Sequence, residues 1–333
     1  MKIRAFPAPS GSAVWRLVDP FKYVRKLGID AQVVTEGGIT NEICEEADVL
    51  VVQSIVDKTM IGRALWFREH KNLKIVYEID DYWKANDYNI NKKSHEVSDF
   101  AKITEDMLSM ADLVTTTNEH LYSLIYPFNH NIRILPNAMD FDRWKVKYTH
   151  KNTSSRIRIG WAGSLTHTED LKIAVPALKR IMNEFPQVEL VLVGDMRMRA
   201  MFSDTPRVEV MLGVPMEAWP HKLHGLRLDI GIAPLLNNEF NKCKSNIKWQ
   251  EYTIAGIPGV YSPTVYRHGY FEEKKMGLVA EDEEHWYINL KNLIICPYLR
   301  EEIVESASVF LERQYNLEYT AKNWADAYTS LVS

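Results

Sequence analysis

Asp229-Ile230-Gly231-Ile232-Ala233-Pro234-Leu235, followed closely by Asn241-Lys242-Cys243-Lys244-Ser245-Asn246-Ile247-Lys248-Trp249-Gln250-Glu251-Tyr252-Thr253-Ile254-Ala255-Gly256-Ile257-Pro258, decides how the second half of this 333-residue chain folds. The first run is a short apolar strand closed by a proline. The second is a basic, hydroxyl-bearing loop that turns into a helix and stops at Gly256. Val260 to Ser262 then reads as another buried strand. A strand, a crossover helix and a further strand form a βαβ unit, whose strands run parallel.

The same rhythm extends in both directions. Before it lie apolar runs at Ile157 to Trp161, Val188 to Val193 and Val208 to Met211, with a helix expected from Asp170 to Phe185. After it come three helical stretches, Glu283 to Ile294, Arg300 to Gln314 and Glu318 to Leu331. The first half opens with a strand at Ile3 to Phe6, a helix over Ala13 to Leu27 and a strand at Ala31 to Val34. Further strands are predicted at Val49 to Val52, Lys74 to Ile79, Leu113 to Thr116 and Ile132 to Leu135. The polar stretch Lys145 to Ser155 reads as a linker. The expectation is an α/β chain of two Rossmann-like domains, 1–150 and 151–333, facing each other across a cleft, with the last helix packing back on the first domain.

Composition bounds the function. Apolar residues are 46% and charged residues 25%, which suits a globular chain rather than a disordered one. A net charge of −4 gives no general attraction to nucleic acid or anionic lipid. Cys44, Cys243 and Cys296 fit neither a disulfide framework nor a paired-thiol metal site, so a reducing, cytoplasmic setting is expected. No apolar run reaches the ~18 residues of a membrane span, and the chain reads as soluble and unprocessed.

Parallel sheets bind ligands beyond the carboxyl ends of their strands, which directs attention to five places. Gly11 and Ser12, before the first helix, let a ligand approach the backbone, with Arg16 one turn further as an anion contact; a plain turn explains the loop equally well. Glu78-Ile79-Asp80-Asp81-Tyr82-Trp83 joins acids to aromatics, a combination suited to hydroxyl-rich ligands or to helix capping, with His95 a weaker candidate nearby. Gly160-Trp161-Ala162-Gly163-Ser164-Leu165-Thr166-His167-Thr168-Glu169-Asp170 offers donors for an oxyanion or diphosphate, although Asp170 also reads as an N-cap. Leu192-Val193-Gly194-Asp195 reads as a sharp turn.

In the fifth place, a helix beginning near Ser245 would set Lys244, Ser245 and Asn246 at a positive mouth for phosphates. Lys248 and Glu251 would then follow along one face. Glu251 could accept from a pair of sugar hydroxyls, or Lys248 and Glu251 could form a plain surface ion pair.

These motifs resemble the retaining, nucleotide-sugar-dependent glycosyltransferases of the GT-B fold, family 4 (glycosyl transferases group 1). The likeness rests on Gly160 to Ser164, on Leu135-Pro136-Asn137-Ala138-Met139-Asp140, on Asp229 to Leu235 and on Lys244 to Pro258. The resemblance implies a donor bound by Gly163, Ser164, Lys244, Ser245, Asn246, Lys248 and Glu251, with Glu251 on the nucleotide ribose and the lysines on the diphosphate. It implies a UDP-sugar first and a GDP-sugar second, no cofactor and no metal. Asp80, Asp81 and Lys248 become the candidate catalytic groups, and Gly11, Ser12 and Arg16 the acceptor contacts. One departure stands out: the acid that the family places eight residues before Glu251 is Cys243 here, so Glu239 or backbone groups would have to hold the donor sugar.

The acceptor is expected to be a carbohydrate, a lipid-linked sugar or a small molecule rather than a hydroxymethylated base in phage-type DNA. Lys22, Arg25 and Lys26, or Lys71, Lys74, Lys92 and Lys93, read either as solvated faces or as contacts for phosphate backbone or a peripheral membrane surface. A non-catalytic sugar- or nucleotide-binding protein and a sugar-nucleotide epimerase remain the competing classes.

Overall fold

In the computed structural model, which describes residues 1–8, 11–84, 99–146, 154–266 and 270–332, the chain divides into two units. One holds Met1–Asp140, Cys243–Ser245 and Tyr315–Ser333; the other holds Phe141–Lys242 and Asn246–Gln314. Most of the linker stretch, 147–153, lies outside the described residues, as do His95, Lys92 and Lys93.

The first unit is built on β1 (Lys2–Phe6), β2 (Asp30–Val33), β3 (Val49–Gln53), β4 (Lys74–Glu78), β5 (Leu113–Thr116) and β6 (Ile132–Ile134). They lie in the order β2-β1-β3-β4-β5-β6 and all pairs are parallel. Side chains of β3 divide between the two faces as the pleat requires. Val49 and Val51 join Ile3, Leu17, Phe21 and Trp324, whereas Leu50 and Val52 join Phe67, Ile75 and Tyr77. Apolar cover on both faces is why these strands read as unbroken hydrophobic runs.

The first helix departs from expectation. Val14–Val18 winds as a π-helix and the α-helix proper is Asp19–Lys26. Pro20 supplies the reason, since it has no N–H to give to the carbonyl of Arg16 and the chain widens there instead. At the other end of the chain the helix Leu317–Thr329 packs on this same unit, with the Tyr328 ring 5.8 Å from that of Phe21. Met139 anchors its approach, donating its N–H to the Tyr315 carbonyl at 2.6 Å and accepting from Leu317 N–H at 3.1 Å.

The second unit carries β7 (Ile157–Ala162), β8 (Val188–Val193), β9 (Val208–Met211), β10 (Ile230–Ala233), β11 (Gly259–Tyr261) and β12 (Leu278–Val279). Their order is β12-β11-β10-β7-β8-β9, again wholly parallel. On one face Ile159, Trp161, Leu190, Ile230 and Ile232 pack against the helices Val175–Glu184 and Glu283–Ile295. The helix expected over Asp170 to Phe185 is broken into Thr168–Lys172 and Val175–Glu184. Pro176 accounts for the break, being favoured in a first helical turn and unable to bond back to Lys172.

The helix Ile247–Ile254 lies against β10, where a Cβ on Gly231 would come within 2.6 Å of the Tyr252 ring. Glycine therefore sets how closely this helix can approach. Burying Tyr252, which is 0% exposed, contributes about 1.5–3 kcal/mol, and its hydroxyl donates to the Ile232 carbonyl at 3.1 Å. Among the described residues no helix is long and apolar enough to cross a membrane.

Candidate functional site

Each sheet has one point where the chain leaves a strand for opposite sides, between β1 and β3 in the first unit and between β7 and β10 in the second. Ligands in open parallel sheets bind outside the carboxyl ends of such strand pairs. At the first point the loop carrying Gly11 and Ser12 meets the end of β3. Gln53, 0% exposed, accepts from Ala8 N–H at 3.1 Å and donates to Ser12 Oγ at 3.0 Å. Gln53 has one signal in the sequence, a polar residue closing an apolar strand.

Arg16 lies deeper than its expected role as an anion contact would require. It is 0% exposed and grips Glu78 with two bonds, Nε to Oε1 at 2.7 Å and Nη2 to Oε2 at 3.1 Å. It also donates to the Leu135 carbonyl at 2.5 Å, to Asn137 Oδ1 at 2.9 Å and to the Thr116 carbonyl at 3.4 Å. Its guanidinium sits 4.6 Å from the Trp324 ring. One side chain thus ties the ends of β4, β5 and β6 to the C-terminal helix, and its donors are turned inward rather than toward an acceptor.

Asp80 and Asp81 follow the same β4 end. Burial pushes the Asp80 carboxyl above its ordinary range, with Asp81 adding to the effect while Arg16 and the Ser12 hydroxyl oppose it. Asp81 is ion-paired with Lys244 Nζ at 2.7 Å. That contact joins two motifs the sequence reading kept apart, because Cys243, Lys244 and Ser245 belong to the first unit. Cys243 is buried in the apolar cluster beneath β3 and β4, its carbonyl accepting from Asn118 Nδ2 at 2.8 Å. Ser245 Oγ accepts from Asn137 Nδ2 at 2.9 Å. The helix starts at Ile247 behind Asn246, close to the start near Ser245 that the sequence suggests.

The basic helix is likewise engaged within its own unit. Lys22 pairs with Asp140 at 2.7 Å, Lys26 with Glu318 at 3.0 Å, and Arg25 donates to the Ala31 carbonyl at 3.1 Å.

In the second unit, Gly163 and Ser164 follow β7 directly, and Gly163 N–H donates to the Val193 carbonyl at 3.0 Å. Ser164 Oγ and Thr166 Oγ1 are 2.6 Å apart. Asp170 is not an N-cap. It is buried within the short helix Thr168–Lys172 and accepts from Leu236 N–H at 2.8 Å and Asn241 Nδ2 at 2.6 Å, which binds the β7 loop to the β10 loop.

Lys248 and Glu251 come together at 2.8 Å, but not as a plain surface pair, since the Glu251 side chain is 2% exposed against 30% for Lys248. Lys248 Nζ also lies 5.3 Å from the Trp219 ring centroid. Among the described residues Lys248 engages Glu251 Oε2, which leaves Oε1 to accept from elsewhere. Glu239 pairs with Lys242 at 2.7 Å on its own short helix.

No family model matches the chain, and no curated protein matches its sequence. Solved structures do. HepE from Anabaena, in complex with UDP-glucose, superposes with a TM-score of 0.71 at 12% identity, over 99% of this chain and 100% of that one. A glycosyltransferase from Rickettsia africae gives a TM-score of 0.71 at 11% identity, over 100% and 98%. This chain has the GT-B fold. A protein described as a UDP-N-acetylglucosamine 2-epimerase, from Listeria monocytogenes, also resembles it, with a TM-score of 0.60 at 12% identity over 99% and 96%. Within this GT-B chain, the expected donor residues Gly163 and Ser164 directly follow β7; Asn246, Lys248 and Glu251 lie at the start of and within the helix between β10 and β11, and Lys244 and Ser245 sit with the first unit.

Proposed function

We propose that the chain is a glycosyltransferase that moves a sugar from a nucleotide-sugar to an acceptor hydroxyl with retention of configuration. The observation that carries this reading is Glu251, an acid 2% exposed whose Oε2 is held by Lys248 on the helix that follows β10 in a GT-B chain. A carboxylate fixed this way presents Oε1 to a vicinal diol such as a ribose. The likeness to HepE, whose complex contains UDP-glucose, favours a UDP-sugar, with a GDP-sugar second.

In this reading Lys248 and the donors of Ser164 and Asn246 stabilise charge that develops on the departing diphosphate, and Gly163, which has no side chain, lets it approach the backbone. No covalent nucleophile or cofactor is assigned. Asp80 and Asp81 orient the transferred sugar or the acceptor hydroxyl, and Gly11 and Ser12 line the acceptor loop. Arg16 supports them from beneath. A carbohydrate or lipid-linked acceptor in the cytoplasm suits a chain of net charge −4 better than DNA does.

The test is a calorimetric titration of UDP-, GDP- and ADP-sugars against the wild type, Glu251→Ala and Lys248→Ala, followed by assay for slow release of the nucleoside diphosphate. One donor should bind at micromolar strength, and each substitution should weaken it by about 1 kcal/mol or more. Unchanged affinity in both variants removes the donor-site reading. The likeness to the Listeria protein supports a second reading, sugar-nucleotide epimerisation, which conversion of the donor's sugar without any acceptor would reveal.

A further inference from the structure

His167 stands at the same switch point as Gly163 and Ser164, with its imidazole held in one orientation. Its Nδ1 lies 2.7 Å from Asp170 Oδ2, while Asp170 Oδ1 already accepts from Leu236 N–H and Asn241 Nδ2. A carboxylate that receives three donors is an acceptor throughout, so the proton between the two side chains belongs to Nδ1. Nε2 makes no hydrogen bond among the described residues, the side chain is 23% exposed, and the His167 N–H donates to the Ser164 carbonyl at 3.0 Å. A neutral ring therefore offers a bare acceptor at Nε2; a protonated ring offers a charged donor.

The helix Glu239–Lys242 packs nearby, with the Phe240 ring 6.2 Å from the imidazole. Its charges, Glu239 and Lys242, are paired with each other, as are Glu169 and Lys172 on the helix that follows His167. Asp170 is thus the charge in direct contact with the ring.

We propose that His167 is a diphosphate-binding residue: when a nucleoside diphosphate binds, the ring takes one proton from solvent and donates Nε2–H to a phosphate oxygen, with Asp170 as its positioning residue. This rests on the donor-site reading and deepens it. The imidazolium sits between two anions, the Asp170 carboxylate and the phosphate, and each stabilises the proton that the other requires. On departure of the diphosphate the proton returns to solvent, so the balance closes at each turnover without any further reactant.

Calorimetry with UDP as the probe, near pH 7.5 in two buffers of different ionisation heat, reads this directly. In the wild type the binding heat should depend on the buffer, corresponding to net proton uptake. His167→Gln keeps a neutral donor at similar reach and should abolish that dependence. His167→Ala should in addition weaken UDP about tenfold, the usual worth of a charge-assisted hydrogen bond. Asp170→Asn, which retains an acceptor for Leu236, should reduce the uptake while His167 remains. Equal proton uptake in wild type and His167→Gln overturns the proposal, as does unchanged affinity in His167→Ala, and in either case the donor-site reading stands. If the wild type binds none of UDP, GDP or ADP, the donor-site reading falls first and takes this one with it.

Discussion

Arg16→Met removes the cation from beneath the β4, β5 and β6 ends and leaves Glu78 buried. Both side chains of the pair are 0% exposed, and without Arg16 the Glu78 carboxylate keeps the Thr115 hydroxyl as its partner. Breaking one side of a buried ion pair costs about 3–5 kcal/mol, because the desolvated charge that remains is uncompensated. Asn137 Oδ1 and the Leu135 and Thr116 carbonyls lose donors at the same time. With a urea slope of about 2 kcal/mol/M for a unit of this size, the transition of the first unit should move down by about 1.5–2.5 M. Two units require a fit with two transitions, with hydrogen exchange of β5 and β6 amides identifying the one that moved. The double variant Arg16→Met with Glu78→Leu should be more stable than the single one, since neither charge is then stranded. A shift below about 0.5 M, or a double variant less stable than Arg16→Met alone, would refute the reasoning.

Asp80→Asn tests the neighbouring carboxyl through pH. A carboxyl raised in the folded state gives its stability below its unfolded pKa and loses it as pH rises through the folded one. The substitution should therefore stabilise the first unit at neutral pH, with the gain vanishing below about pH 4, while sugar transfer is lost. Gly194→Ala would set a Cβ 2.3 Å from the Gly163 carbonyl oxygen, and backbone cannot yield as a side chain does. A loss of about 1–3 kcal/mol in urea unfolding, together with weaker UDP binding through a displaced Gly163–Ser164 loop, is expected. Burial pushes the Cys44 thiol up to about 11, so at neutral to mildly alkaline pH it remains protonated and enclosed. Mass spectrometry after thiol alkylation should find the half-buried Cys296 modified in the folded chain, and Cys44 only after unfolding.

The parallel sheets were legible because burial on both faces writes each strand as a plain apolar run, as at Val188 to Val193. Helix interruptions at Pro20 and Pro176 are equally written in the chain, since each proline lacks the N–H that the preceding turn would need. Partnerships across long separations left no local trace. Nothing near Arg16 marks Glu78, 62 positions away, as its counter-ion, and nothing near Lys244 marks Asp81, 163 positions back. Asp170 looked like a cap because a cap and a buried anchor use the same residue type at a helix start; the anchor's donors come from Leu236 and Asn241. The Lys248–Glu251 contact was legible because the two stand at helical spacing, and helical spacing is visible in a string of letters.

The first unit's second apolar layer is completed by Trp324, Ala325 and Tyr328, from the far end of the chain. During synthesis, Leu17, Phe21 and Val24 must wait for those residues while everything between Asp140 and Tyr315 is made. At about 5–20 residues per second the wait is about 9–35 s, long compared with the collapse of a small domain. Through that wait the earlier-made segment stays an unfinished, sticky intermediate on the ribosome. Its yield in cells should then depend on chaperone supply and translation speed far more than its final stability would suggest.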